Sequence, residues 1–261
     1  MKWDQWKSWY LQIISDFGYD PQQDLESAIL LNKMLTQTRT EVDISKLYEL
    51  VNRRIVFVYG CGPSLPIHLN SLKKPQIMLE NYVHIAADGA TTALLRYEVI
   101  PDIILTDLDG RIPDLINANE KGAITLIHAH GDNKDLIIKY FPLFPGLVLG
   151  STQNQPVGLV KNYGGFTDGD RCVFLAEEMG ADLTILVGFD FGQIVGKFSK
   201  PYFTNDVMAN ESKVKKLGWA QKLITELSKT GKLRILKLNN QTVQLGKVEN
   251  VTADDLIKIL K

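Results

Sequence analysis

From Arg54 onward the chain is punctuated by apolar runs rich in Val and Ile, at 55–59, 82–87, 102–106, 123–128, 147–149 and 183–187. Most are separated by stretches of helical character. Runs this short and this uniformly apolar fit strands buried on both faces, and the alternation strand, glycine-containing loop, helix, strand calls for a parallel sheet covered by helices. The tail continues the pattern. A helix is expected at about 212–229 (Val214, Leu217, Ala220, Leu223, Ile224, Leu227), then a strand at 233–238. Thr252, with Asp255 three residues on, opens a short last helix. The expected fold class is α/β, a Rossmann-like, mostly parallel sheet flanked by helices.

Residues 1–50 read differently. Trp3, Trp6, Tyr10, Ile13, Ile14 and Phe17 recur at helical spacing, with Gly18 as the stop. Asp20-Pro21 reads as an N-cap followed by proline at the first helical position, opening a helix through about Leu35, and a third helix is expected from Asp43 to Asn52. An aromatic stripe at this spacing is core or packing surface before it is a ligand platform, and it could pack on a second subunit as a homodimer. The expected organisation is an N-terminal helical appendage over 1–52 and an α/β catalytic domain over 53–261.

Composition narrows the partners. A net charge of −1 on 261 residues gives no electrostatic case for nucleic acid or an anionic membrane. No apolar run approaches the roughly 20 residues that span a bilayer, and Asp4, Gln5 and Lys7 interrupt any signal-peptide core. Cys61 and Cys172 are too few for a disulfide framework or a structural zinc site. A reduced, cytoplasmic globular protein is expected.

The chemistry-bearing residues fall after the strands, where open α/β sheets bind ligands. Asp107 and Asp109 close the run 102–106. Residues i and i+2 of a strand share a face, so these carboxylates would repel unless a cation sat between them. Mg²⁺, a hard ion that takes oxygen ligands and arrives with substrate phosphates, suits them; the alternative is a solvated acidic loop. Gly60-Cys61-Gly62-Pro63-Ser64 follows the first strand, and its glycines and the helix after it favour an anion. Yet Leu65 stands where the dinucleotide fingerprint has its third glycine, so an ordinary strand-to-helix turn fits as well. Asp88, beside Gly89, could bind a ribose hydroxyl or cap the helix that begins near Ala90.

Asn162-Tyr163-Gly164-Gly165-Phe166-Thr167-Asp168-Gly169-Asp170-Arg171 carries more polar groups and glycines than a helix entry needs, which points to a substrate-contacting loop. Arg171 could clamp a phosphate bidentately or pair with Asp168 or Asp170. His128 and His130 lack the partner set of a zinc site; His130 beside a phosphate, with Asp132 near the metal, is the preferred reading, and a His satisfied by the backbone the alternative. Lys197, Lys200, Lys213, Lys215 and Lys216 could close over phosphates or form a solvated face. A dehydrogenase would use the first loop and Asp88 but leave Asp107, Asp109 and 164–171 without a role.

In order, G-x-G-P-S-L, A-D-G-A, P-D-x-x-x-T-D-L-D-G, H-A-H-G-D-N, G-F-T-D-G-D-R and G-F-D-F-G resemble the archaeal 6-hydroxymethyl-7,8-dihydropterin pyrophosphokinase family, across about residues 54–237. That family looks related in fold to thiamine pyrophosphokinase. The resemblance implies Mg²⁺-dependent transfer of a diphosphate from ATP to the hydroxymethyl group of a reduced pterin, giving AMP, on the way to a folate- or methanopterin-type carrier. It implies that Asp107 and Asp109 hold the metal, with Asp132 a further ligand. Gly60, Gly62, Ser64, Asp88 and Gly89 would contact the nucleotide, and Thr167, Asp168 and Arg171 would orient the pterin or the diphosphate. Phe189 or Phe191 could stack on the pterin, and Asp168 or His130 could act as base. Rival readings keep the reaction and change the acceptor to thiamine, take a nucleotide sugar for glycosyl transfer, or leave a non-catalytic nucleotide-binding module.

Overall fold

The computed structural model describes residues 2–38, 42–238 and 245–261; Met1 and 39–41, within the segment read as helical, lie outside them. Three helices come first: α1 (Trp3–Phe17), α2 (Pro21–Gln37) and α3 (Ser45–Val51). Gly18 ends α1 in the left-handed region (φ 68°), and the Asp20 carboxylate accepts from the Gln22 N–H at 2.9 Å to start α2. The aromatic stripe turns inward: Trp6, Tyr10, Ile13 and Ile14 are buried in the core of the chain itself.

The alternating region then runs β1 (Ile55–Tyr59), α4 (Leu65–Leu72), β2 (Val83–Ala87), α5 (Ala90–Arg96), β3 (Ile103–Thr106), α6 (Ile112–Glu120), β4 (Ile124–Ala129), α7 (Lys134–Tyr140), β5 (Val148–Thr152) and β6 (Val160–Lys161). It continues with α8 (Asp168–Glu178), β7 (Leu183–Val187), a ribbon of β8 (Ile194–Val195) and β9 (Val207–Met208), α9 (Glu211–Thr230), β10 (Arg234–Leu238), β11 (Glu249–Val251) and α10 (Ala253–Ile259). The Thr252–Asp255 capping box opens α10 as the sequence predicts. The two-residue strands β6, β8 and β9 are too short to show a period and were not expected.

The main sheet has the order β11-β10-β7-β1-β2-β3-β4-β5-β6, and every pairing in it is parallel. This is the α/β architecture expected. Alternation sorts the side chains of β1: Val56 and Val58 join the core beneath α1, α3, α8 and α9, while Phe57 and Tyr59 join the core beneath α4, α5 and α10. A third cluster packs α2 (Ala28, Leu31, Leu35), α6 and α7 on the β3–β6 side of the sheet. The chain leaves β1 toward β6 and returns as β7 on the other side of β1, so the order reverses between these two strands. A crevice opens beyond their carboxyl ends, where such sheets bind ligands.

Candidate active site

A cavity of about 460 Å³ fills that crevice, and Gly60, Asp88, Asp107, Asp109, His130 and Asp168 are among its lining. β3 ends at Thr106, so Asp107 and Asp109 stand in the loop beyond it. Strand pleating therefore does not bring them together. Leu108 does: its backbone turns into the left-handed region (φ 70°) while its side chain is buried, and the Asp109 N–H donates to Asp107 Oδ1 at 3.2 Å. Thr106 ties in the neighbouring strand. Its hydroxyl donates to Asp88 Oδ1 at 2.5 Å and accepts from the Leu108 N–H at 2.8 Å.

Asp88 itself has a positive φ of 40° and does not cap α5, whose N-cap is Gly89 without a side-chain bond. Its carboxylate lies against Gly110, where any Cβ would collide with it. One oxygen each from Asp88, Asp107 and Asp109 lies within 4.8 Å of the others, the one such group among the described residues. Asp132 is outside it. This largely exposed carboxylate accepts from His130 Nδ1 at 2.6 Å, and His130 Nε2 sits 3.5 Å from Asp107 Oδ2.

The charges are unbalanced. Burial, then Asp107, pushes the Asp88 and Asp168 carboxyls well above the usual range and raises Asp109. Burial would raise Asp107 too, but His130 outweighs it and holds that carboxyl low. Lys200 forms an ion pair with Asp109. Closely set carboxylate oxygens short of positive charge fit a hard divalent cation, Mg²⁺ in the presence of phosphates.

Burial alone would lower the His130 pKa, yet its bonds to Asp107 and Asp132 raise it to about 9. In metal-free protein the stability this charged ring contributes is full below its ordinary value of 6.5 and is lost as pH rises through about 9. An NMR titration of the His130 ring in metal-free protein is expected to give a midpoint near 9, and Asp132→Asn should lower it. A midpoint at the ordinary value, unmoved by the substitution, would refute the pairing.

The Gly60 loop uses its donors inside the protein. Gly60 N–H donates to Val187 O and Gly62 N–H to Gly188 O, both at 2.9 Å. Ser64 N–H and hydroxyl donate to Asp190 at 2.9 and 2.6 Å, so a protein carboxylate already fills the start of α4. Gly60 and Gly62 line the cavity, as does Gly89, and the absence of side chains lets Phe189, Asp190 and the Phe198 carbonyl approach them. Phe189 is buried; Phe191 is less so and also lines the cavity.

Much of the polarity of 162–171 is likewise internal. Asp170 accepts from Phe166 N–H (2.6 Å), Thr167 N–H (2.8 Å) and the Thr167 hydroxyl (2.5 Å), and so secures the start of α8. Buried Arg171 pairs with neither aspartate; it donates to Phe166 O at 2.7 Å and to Gln153 Oε1 at 3.0 Å. The Asp168 side chain makes no hydrogen bond among the described residues; burial and then the charges of Asp107 and Asp109 raise it.

Helices α1 and α2 supply a part of the site that no motif announced. Gln153 Nε2 donates to Asp24 Oδ2 at 2.8 Å, the Tyr10 hydroxyl to the same oxygen at 2.9 Å, and Gly131 N–H to Asp24 Oδ1 at 2.8 Å. Asp24 reads in sequence as one polar residue in the first turn of a helix, where an acidic side chain needs no further reason. His128 stacks on His130 with centroids 5.7 Å apart, is held by Ser151 at 3.1 Å, and has a buried Nε2 without a partner among the described residues. Of the lysines, Lys200, Lys213 and Lys216 line the cavity, Lys215 pairs with Asp16, and Lys197 stands outside.

Comparison with known proteins gives a consistent picture. The family described as 6-hydroxymethylpterin diphosphokinase MptE-like matches residues 32–196. A protein of Pyrococcus furiosus named 6-hydroxymethyl-7,8-dihydropterin pyrophosphokinase is 44% identical over 241 residues, 92% of this chain and 100% of that protein. The protein of the same name from Methanocaldococcus jannaschii is 42% identical, covering 91% of this chain and all of its own. Among solved structures, the MAF glycosyltransferase of Magnetospirillum magneticum aligns with a TM-score of 0.54 at 17% identity, over 91% of this chain and 40% of that one. At that identity the likeness concerns the fold alone. No helix of the described residues is long and apolar enough to cross a membrane.

Proposed function

The chain belongs to the MptE-like 6-hydroxymethylpterin diphosphokinase family, and on that premise we propose that it transfers a diphosphate from ATP to the hydroxymethyl oxygen of 6-hydroxymethyl-7,8-dihydropterin. The acceptor oxygen bonds to the β-phosphorus, the bond from that phosphorus to the α,β-bridging oxygen breaks, and AMP leaves with that oxygen. The product would feed a folate- or methanopterin-type carrier. The observation that carries this reading is the carboxylate group Asp88–Asp107–Asp109, gathered in the crevice just beyond the ends of β2 and β3.

Asp88, Asp107 and Asp109 would hold Mg²⁺; Asp132 would act one step removed, by keeping His130 charged against Asp107. When bound there, Mg²⁺ neutralises charge on the polyphosphate and helps align attacking and leaving oxygens. Lys200 and Lys213 bring further positive charge to the phosphates. Asp168, its affinity for a proton raised by burial and its acidic neighbours, would take the acceptor hydroxyl's proton. His130 carries its proton already and suits charge stabilisation better than base catalysis. Gly60, Gly62 and Gly89 give the nucleotide close approach to the backbone; Ser64 positions the loop through Asp190. The acceptor would lie toward His128, whose ring lines the crevice, with Thr167 and Arg171 shaping that wall and Phe191 available to stack on the ring.

Incubation with ATP, Mg²⁺ and the reduced hydroxymethylpterin, with AMP and pterin diphosphate measured together, tests the reading. Equal amounts of both are expected, and none with thiamine in place of the pterin. AMP formation independent of the pterin, or no product from folded protein, would overturn it.

A further inference from the structure

Beside the crevice lies a second cavity of about 330 Å³, and we propose that it is an anion site for a diphosphate group, coupled through Lys200 to the carboxylate cluster. Four cations line it, Arg96, Arg111, Lys197 and Lys200, and no carboxylate does. Arg96 comes from the end of α5, Arg111 from the residue before α6, and the two lysines from the loop between β8 and β9. Three separate chain segments thus deliver positive charge to one place.

The arrangement is unfavourable without an anion. The Arg96 guanidinium and Lys197 Nζ lie 5.1 and 5.5 Å from the same Phe198 ring centroid, and neither has a carboxylate partner within 4.0 Å among the described residues. Attraction to one ring stabilises each cation modestly and does not remove their mutual repulsion. Arg111 has only a 3.5 Å contact with Asp114 on a half-exposed side chain, which contributes little. Guanidinium forks suit the paired oxygens of a diphosphate, and a buried hydroxyl-bearing residue, Thr92, adds a polar wall.

The β8–β9 loop forms a wall common to both cavities. Its Gly196 N–H donates to Cys61 O at 3.1 Å, and the Phe198 carbonyl rests on Gly89, where a Cβ would collide with it. Among the described residues Lys200 alone lines both cavities, and it is paired with Asp109. An anion in the basic cavity competes with Asp109 for that ammonium group. Anion binding therefore leaves the carboxylate cluster more negative, and weakening the Asp109 contact strengthens anion binding; the coupling is reciprocal. Neither statement depends on which acceptor the crevice serves.

Calorimetric titration of the metal-free full chain in EDTA, with inorganic pyrophosphate and separately with ADP, tests this without any turnover. Metal-free carboxylates repel these probes, so binding reports the basic cavity. Saturable one-to-one binding is expected, at least about tenfold weaker in the double variant Arg96→Gln/Arg111→Gln, whose exposed side chains can be replaced without loss of fold as checked by circular dichroism. Asp109→Asn should tighten binding several-fold by releasing Lys200, and Asp168→Asn, which removes nearby charge but no Lys200 partner, should do so less. The tighter of the two probes identifies the source of the diphosphate as inorganic or nucleotide. No saturable binding, or binding unchanged in the double variant, would overturn the site; equal effects of Asp109→Asn and Asp168→Asn would overturn the coupling through Lys200.

Discussion

Asp107→Asn is expected to lower diphosphate transfer by about 10³-fold or more, because it removes a central oxygen donor from the group that would hold the metal, and metal stabilisation of a transferring phosphoryl group amounts to several kcal/mol. The fold should survive. The substitution removes one of the two acidic partners of His130, but it also relieves Asp88, Asp109 and Asp168, each raised in part by the Asp107 charge. These effects oppose one another, so stability should move by no more than about 1 kcal/mol. Turnover and thermal unfolding, measured side by side with and without Mg²⁺, check both halves. Mg²⁺ is expected to raise the melting temperature of the natural protein by preferential binding to the folded state, and the variant should lose that rise. Near-natural turnover would remove Asp107 from the metal site.

Arg171→Ala should have the largest effect on stability. The guanidinium is buried and donates to the Phe166 carbonyl and to Gln153, so its loss leaves both acceptors without a donor and opens a gap beside the start of α8. A buried acceptor left without a donor costs about 1–3 kcal/mol, and two are left here. For a chain of this size that is roughly 2–4 °C in melting temperature per kcal/mol. Thermal unfolding of the variant is the measurement. If stability were unchanged and only the KM for ATP or pterin rose, Arg171 would be a substrate clamp instead of a brace.

The strands were legible because burial on both faces leaves a mark composition cannot hide: β1, β2, β3, β4 and β7 coincide with the apolar runs to within a residue or so. The acidic residues were legible because carboxylates are conspicuous directly after such runs. How they converge was not. It depends on Leu108 and Asp88 adopting left-handed backbone, which nothing about leucine or aspartate foretells. The polar excess of 162–171 is plain in the sequence, but the sequence cannot separate polar groups spent on the loop itself, at Asp170 and Arg171, from a group left facing the crevice, at Asp168. The pairing of Asp24 with Gly131 and Gln153 is not legible in the sequence because it spans 107 and 129 residues of chain. The basic cavity was hidden because its cations come from three chain segments, the end of α5, the residue before α6 and the β8–β9 loop.

Asp24 also bears on how this site could be moved or inherited. The segment matched by the family description starts at residue 32, inside α2, after Tyr19, Asp20, Gln23 and Asp24 have contributed to the crevice wall. A transplant of the strands and their acidic loops into another sheet would carry the carboxylates and leave the Gly131 N–H and the Gln153 amide without their acceptor. Recombination between relatives at that boundary meets the same obstacle: a foreign first helix pair must bring its own acceptor for those two donors, or the wall beside His130 loses its anchor.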